Sequence, residues 1–313
     1  MAIPYNQFNK NTHMKRKLPF LLLLALITSG AYAQKVYFKL NPSYNFGMKD
    51  QVLSYDYSLR YSAAANTIVE EYSNVRTSLG KGYMGSFAIG FKHNENISSE
   101  YTFSYLKGKP SSFSDIIHYY SGDEKYTTTL EANIMSFTPT LVFSATEKDW
   151  TPYLAAGLSI NFITVKENTE FSSFFINGNT VIDAEYKGSP TIGFTTKIGV
   201  INKISDVFSV FGEFTYAHLN FSPNTKEVTG YTINKQDSLS TLKEYDIHTE
   251  YENEISIMYE DNGNGFEEKR NMNKPREARK FSMPLSYFSF SIGVRINIVR
   301  REKPNNDAIK IEN

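Results

Sequence analysis

His218 sits in "YAHLNFSPN", and a histidine paired with a serine could serve acyl transfer. On a strand, residues two apart share a face, so the partner should stand at position 220. That residue is Asn220, and Ser222 lies four positions on. His118 and His248 fall in long polar stretches without a partner at fixed spacing. "EDNGNG", Glu260 to Gly265, approaches the D-x-[DN]-x-[DN]-G form of a calcium loop. It opens on Glu and has Asn271 where the twelfth-position glutamate should be, so a two-residue hairpin turn accounts for it better. No catalytic, cofactor-binding or metal site is expected, and the chain is expected not to be an enzyme.

Six charges are more informative: Lys39, Glu100, Glu131, Lys197, Glu213 and Arg295. Each stands in a row of small polar residues that alternates with a row of apolar ones. In "SYFSFSIGVRINI", Phe288, Phe290, Ile292, Val294, Ile296 and Ile298 alternate with Ser289, Ser291, Gly293, Arg295 and Asn297. That is one strand with an apolar face and a polar face. Seven more segments follow the rule, beginning near Val36, Tyr83, Tyr101, Leu130, Leu154, Ile192 and Phe208. In the fourth, apolar Leu130, Ala132 and Ile134 give way to apolar Phe137, Pro139 and Leu141. This change of parity predicts a β-bulge at Ile134-Met135.

The connections alternate in length. Residues 93–96, 145–149 and 202–206 are short turns, while 49–80, 107–128, 166–189 and 222–281 are long and polar. Short turns at one end and long loops at the other describe an all-β, eight-stranded, antiparallel up-and-down transmembrane barrel with long extracellular hairpin loops. Inward rows of Ser, Thr, Gly, Asn and charge do not suit a soluble core. The last loop could supply two further strands, but Glu267, Glu268, Lys269 and Arg270 are consecutive. Charges on a lipid-facing strand cost roughly 2–4 kcal/mol each near mid-bilayer, which keeps that hairpin outside the membrane.

The amino terminus supports export. Met14-Lys15-Arg16-Lys17 precedes the apolar run Leu18 to Ile27 and an Ala31-Tyr32-Ala33 cleavage site. Residues 1–33 are thus expected to be a signal peptide with Met14 as its true start, 34–298 the barrel, and 299–313 a short periplasmic tail. The 313 residues include no cysteine, and 33 basic side chains balance 33 acidic ones. That balance excludes a general nucleic-acid binder, and missing thiols exclude disulfide frameworks. The 22 tyrosines and 23 phenylalanines suit strands and membrane interfaces.

With its leader, eight strands and alternating loops, the chain resembles the eight-stranded outer-membrane β-barrel family, the OmpA/OmpW-like small barrels of Gram-negative bacteria. The resemblance spans roughly Gln34 to Ile298 and implies residence in the outer membrane. The last strand resembles the family's assembly signal at Ser291, Gly293, Ile296 and Ile298, which implies delivery by the barrel-assembly machinery. Many such chains end on an aromatic residue, whereas here Ile298 is followed by a polar tail, Val299 to Asn313. The function expected is structural or surface-interacting and non-enzymatic, in a monomer whose surface ligand is unspecified. The alternative is a narrow pore or conduit for small apolar solutes, and a lipid-modifying enzyme comes last. Arg276, Arg279 and Lys280, entering the last strand, are expected to meet lipopolysaccharide phosphates. The inward charges are expected to close the lumen, Arg295 with Glu213 and Lys197 or Lys39 with Glu100.

Overall fold

The computed structural model describes residues 35–49, 52–62, 67–119, 122–146, 148–173, 178–261, 266–268 and 270–298. The leader expected at 1–33, the tail expected at 299–313 and the turn expected within Glu260 to Gly265, at 262–265, lie outside the described residues. Eight strands form the barrel: β1 (Lys35–Gly47), β2 (Gly82–Lys92), β3 (Ile97–Gly108), β4 (Gly122–Ser144), β5 (Trp150–Ser173), β6 (Thr191–Lys203), β7 (Phe208–His218) and β8 (Tyr287–Ile298). Each pairs antiparallel with its neighbour in sequence, and β1 pairs with β8, Val36 opposite Ile298 and Gly47 opposite Tyr287. The ring is therefore closed and has no open strand edge. Closure is what allows strands to stand in hydrocarbon.

The alternating rows place the apolar face outside. Leu40, Leu154, Ile192, Ile198 and Ile292 are all more than half exposed. In water such a belt would be an aggregation hazard; in a bilayer it is the lipid surface. Tyr83 and Tyr105 lie at the outer end of this belt and Trp150 at the periplasmic end, where amphipathic rings favour the interface.

No bulge interrupts β4. Its register with β3 runs unshifted from Asn133 opposite Lys107 to Phe143 opposite Ile97, with Ile134 facing Leu106. Leu130, Ala132 and Ile134 point inward and are buried. An apolar residue on a barrel strand does not always face lipid. Near the extracellular mouth the interior is itself apolar, because loop segments pack into it.

The long connections are not independent hairpins. β4 and β5 run on above the membrane, and other strands add to both their sides. The resulting extracellular sheet has the order 276–279, 248–252, 225–233, 178–187, upper β5, upper β4, 111–119, 52–62 and 67–76. Two of its pairings are parallel, Tyr57 with Asp115 and Tyr251 with Ala278. A short hairpin pairs Tyr259–Asp261 with Phe266–Glu268 apart from this sheet, outside the membrane as its charges require.

Candidate functional site

The lumen is filled in layers. At its centre Lys39, Glu100, Lys197 and Glu213 form a closed ring of alternating charge. Lys39 Nζ lies 3.2 Å from Glu100 Oε2 and 3.2 Å from Glu213 Oε2. Lys197 Nζ lies 3.4 Å from Glu100 Oε1 and 3.6 Å from Glu213 Oε1. All four side chains are more than nine-tenths buried. Hydroxyl donors complete the carboxylates: Tyr153 to Glu213 at 2.7 Å, Tyr37 to Glu100 at 3.3 Å, and Thr215 to Glu213 at 3.2 Å. A buried charge is tolerable only when paired and hydrogen-bonded in this way.

Two of the six expected lumen charges are not in this ring: Arg295 stands lower in the lumen and Glu131 outside it. Glu213 faces Ser291 across the strands, four residues along β8 from Arg295, or roughly 13 Å. Arg295 cannot serve Glu213 across that gap. Its guanidinium instead stacks 3.9 Å above the Tyr37 ring, and its Nε donates to Asn297 Oδ1 at 2.9 Å. Glu131 pairs across strands with Lys166 on the outer face, in a surface cleft above the membrane. Its inward assignment fails with the bulge that produced it.

Three aromatic side chains close the periplasmic side: Tyr37 and Tyr153, which the alternation turns inward, and Phe211, which it did not single out. Tyr37, Tyr153 and Phe211 are buried in the lumen, with Lys39 Nζ 4.3 Å from the Phe211 centroid and 5.1 Å from that of Tyr153. Each lies over a glycine. A Cβ on Gly90 would meet the Tyr37 ring at 1.9 Å, one on Gly199 would meet Tyr153 at 2.6 Å, and one on Gly293 would meet Phe211 at 2.6 Å. The inward glycines, which read as mere polar fillers, are seats for the rings.

Above the charge ring comes a chamber of Ser, Thr and Asn side chains enclosing about 40 Å³. That is room for a few water molecules and nothing larger. An apolar lid covers it, built from Leu106, Leu130, Ile134 and Ile163 of the strands and Leu79, Leu219, Phe221, Met283 and Leu285 of the loops. Backbone bonds hold the loop segments in place, Leu79 N to Pro284 O at 3.0 Å and Leu285 N to Leu219 O at 2.9 Å. Gly80 permits their approach, since a Cβ there would lie 2.1 Å from Leu285 O.

His218, His118 and His248 each have a side-chain partner. Ser286 Oγ lies 3.2 Å from His218 Nδ1, a pair that sequence spacing could not show. Ser286 is 1% exposed, accepts the Leu219 N–H at 3.1 Å and reaches the Leu219 carbonyl at 3.3 Å. An acyl carbon has no access to it. His118 pairs with Asp123 at 2.9 Å and His248 with Glu244 at 2.7 Å.

On the last strand Ser291 and Gly293 face the lumen, while Ile296 and Ile298 face outward and are about half exposed. The motif thus has a packing half and a surface half. Gly293→Ala should weaken the barrel even when it is refolded in detergent without any assembly machinery. Ile296→Ser with Ile298→Ser should refold there normally yet accumulate unassembled in cells. Heat-modifiable migration in gels reads both, and equal behaviour of the two variants in detergent would remove this division.

Arg276 and Arg279 lie on the outermost strand of the extracellular sheet and are exposed, while Lys280 donates to Asn224 Oδ1 at 2.9 Å. Arg276 and Arg270 share the Tyr245 ring at 5.9 and 5.8 Å. Nearer the barrel, Tyr186 donates to Glu167, which Lys226 contacts at 2.7 Å. Burial, reinforced by Glu167, pushes the Tyr186 hydroxyl far up, and burial raises Tyr251 to about 12, so both hydroxyls stay protonated.

No protein-family model matches the chain, and no curated protein matches it by sequence. Among solved structures, the chain is similar to Neisserial surface protein A, with 10% identity over 83% of this chain and 96% of that one and a TM-score of 0.37. It is similar to Ail, the attachment invasion locus protein of Yersinia pestis, at 8% identity, 84% and 98% coverage and a TM-score of 0.32. It is also similar to the outer membrane protease OmpT of Escherichia coli, at 7% identity, 85% and 97% coverage and a TM-score of 0.29. Likeness at this level carries no functional inference. The closed eight-strand ring, its lipid-facing belt and its polar, ion-paired lumen are what make this chain a small transmembrane β-barrel of the outer-membrane type.

Proposed function

We propose that this protein is a non-enzymatic, non-conducting outer-membrane platform that presents its extracellular sheet to partners at the cell surface. The observation that supports this most is the division of the chain. The barrel interior is closed by aromatic rings, ion pairs and an apolar lid, while the length added to β4 and β5 builds a sheet above the membrane. A conduit has no use for a chamber of about 40 Å³ set between an apolar lid and a layer of rings and ion pairs. The burial of Ser286 argues against acyl-transfer chemistry at the rim.

Because the 222–281 loop supplies strands to a sheet founded on β4 and β5, it should be tested in the whole protein and not as an isolated fragment. Asn234 and Lys235 form a two-residue turn with positive φ at both positions, between Ile233 and Gln236, and can accept an insertion. A proximity-labelling enzyme inserted there on intact cells should mark surface polypeptides or polysaccharides. Lipopolysaccharide should be marked as well, through Arg276, Arg279 and Lys280 if those residues meet its phosphates, and changing all three to Gln should reduce the lipopolysaccharide that co-purifies at low salt. Labelling no different from that of a barrel lacking residues 52–76 and 225–280 would refute the platform. Unchanged lipopolysaccharide in the Gln variant would refute the phosphate contact alone.

A further inference from the structure

The extracellular sheet has two unlike faces. Cross-strand pairs put Tyr57, Tyr72, Phe113, Tyr126, Phe171 and Ile182 on the face that continues the barrel interior. Tyr126 stacks on Phe171 at 4.3 Å between centroids, and Tyr57 lies 5.0 Å from Tyr72. Towards the 67–76 edge this face opens to solvent, with Tyr55 54%, Ile68 62% and Tyr72 65% exposed. Its charged members there are Glu70, Asp115 and Glu124, with Arg76 as the last residue of the edge strand, whereas Arg60 and Lys125 turn to the opposite face. Burial, with Asp56 nearby, holds the Asp115 carboxyl above its ordinary range.

The edge itself is open. Among the described residues, Thr67–Arg76 pair on one side only, with 52–62, so the backbone donors and acceptors of alternate residues along this ten-residue strand face outward. Natural edge strands are commonly blunted by proline, lysine or a bulge; between Thr67 and Asn74 this edge has no proline and no lysine. It has Glu70 and Glu71 instead, one on each face. A second copy pairing antiparallel about that point would set glutamates against glutamates, which is destabilising. The same pair attracts a strand rich in cations. Tyrosine rings beside carboxylates favour ammonium and guanidinium groups through both charge and ring quadrupole. Anionic lipid would be repelled.

We infer that the Thr67–Arg76 edge takes up an extended, cationic, amphipathic polypeptide as an added strand, whose apolar and basic side chains lie along Ile68, Glu70 and Tyr72. Strand addition supplies backbone affinity, and the alternating side chains supply the selection. The inference rests on the platform reading and gives its partner a chemical class.

The test uses the full protein refolded in detergent, with three probes measured by calorimetry: an alternating lysine–valine decapeptide, its glutamate–valine counterpart, and a neutral oligosaccharide, cellohexaose. The lysine peptide should bind at least about tenfold more tightly than the other two and weaken with salt. Glu70→Lys with Glu71→Lys should abolish that preference. Tyr72→Ala should weaken binding several-fold with the charge unchanged, and Lys125→Ala on the opposite face should do nothing. Heat-modifiable migration checks that each variant retains its barrel. Equal affinity for the two peptides, preference for the sugar, no binding of any probe, or a preference that survives the Glu70 and Glu71 changes would each overturn the inference. If proximity labelling finds partners while the lysine peptide fails, this inference falls and the platform stands. The reverse outcome removes the platform.

Discussion

Glu213→Ala should cost the barrel about 3–5 kcal/mol, the largest stability loss expected of a single substitution in this chain. The change removes the carboxylate that Lys39 and Lys197 share and the acceptor of the Tyr153 hydroxyl. Both ammonium groups remain buried, with Glu100 as their one remaining carboxylate. A loss of that size is a substantial fraction of the 5–15 kcal/mol that typically separates folded from unfolded states. The measurement is the urea midpoint of barrel unfolding in detergent, read by tryptophan emission from Trp150. A compensating variant separates lost charge from lost volume. Lys39→Met, Lys197→Met, Glu100→Leu and Glu213→Leu together should recover much of the loss, since well-packed apolar groups often match a buried ion pair. If Glu213→Ala unfolds with the wild type, the ring of charge contributes nothing to stability.

The barrel was legible in the sequence because lipid imposes a strict two-residue period, and the closed ring preserves it through all eight strands. The same period put Lys39, Glu100, Lys197 and Glu213 inside. Their partners were harder to see, because inward parity does not give height along the axis, and Arg295 sits too low to meet Glu213. Inward parity also took in Tyr37 and Tyr153, whereas Phe211 was missed because an aromatic residue on a barrel strand reads as lipid-facing. Phe211 also lies between Val210 and Gly212, where no alternation stands out. The available signal was glycine: Gly90, Gly199 and Gly293 occupy inward positions where only a hydrogen leaves room for a ring.

The extracellular sheet was not legible. Its order depends on pairings between distant segments, such as Tyr57 with Asp115 and Lys226 with Tyr186, and on two parallel contacts that no local turn specifies. Local pattern gives strands and hairpins, whereas non-local register is set by packing. The false bulge in β4 came from the same boundary. Between Leu130 and Ile134 the solvent of the inner face changes from a polar lumen to an apolar lid, so one parity rule cannot hold across it.

Conductance should appear only when both seals are broken, and this expectation separates the platform from the pore most sharply. Wild-type protein in a planar bilayer should show no steady current, because the chamber of about 40 Å³ has an apolar lid above it and aromatic rings with ion pairs beneath. Leu79→Ser with Leu285→Ser wets the lid but leaves the charge ring, so the current should stay near baseline. Glu213→Ala with Phe211→Ala and Tyr153→Ala opens the lower layer but leaves the lid, and again little should flow. Water enters the chamber in each case without a continuous path. Combining the five changes joins the two openings, and steady, ohmic events should then appear in most insertions. An eight-stranded barrel is just wide enough for side chains to fill, so removing two rings and a carboxylate at one level creates most of the available cross-section. The lower-layer changes also destabilise the barrel, so gels must confirm that the five-fold variant still migrates as folded barrel before its current is interpreted. A wild-type protein that conducts steadily, or a lid variant alone that does so, would show that the lower layer is no barrier and would return the function to solute passage.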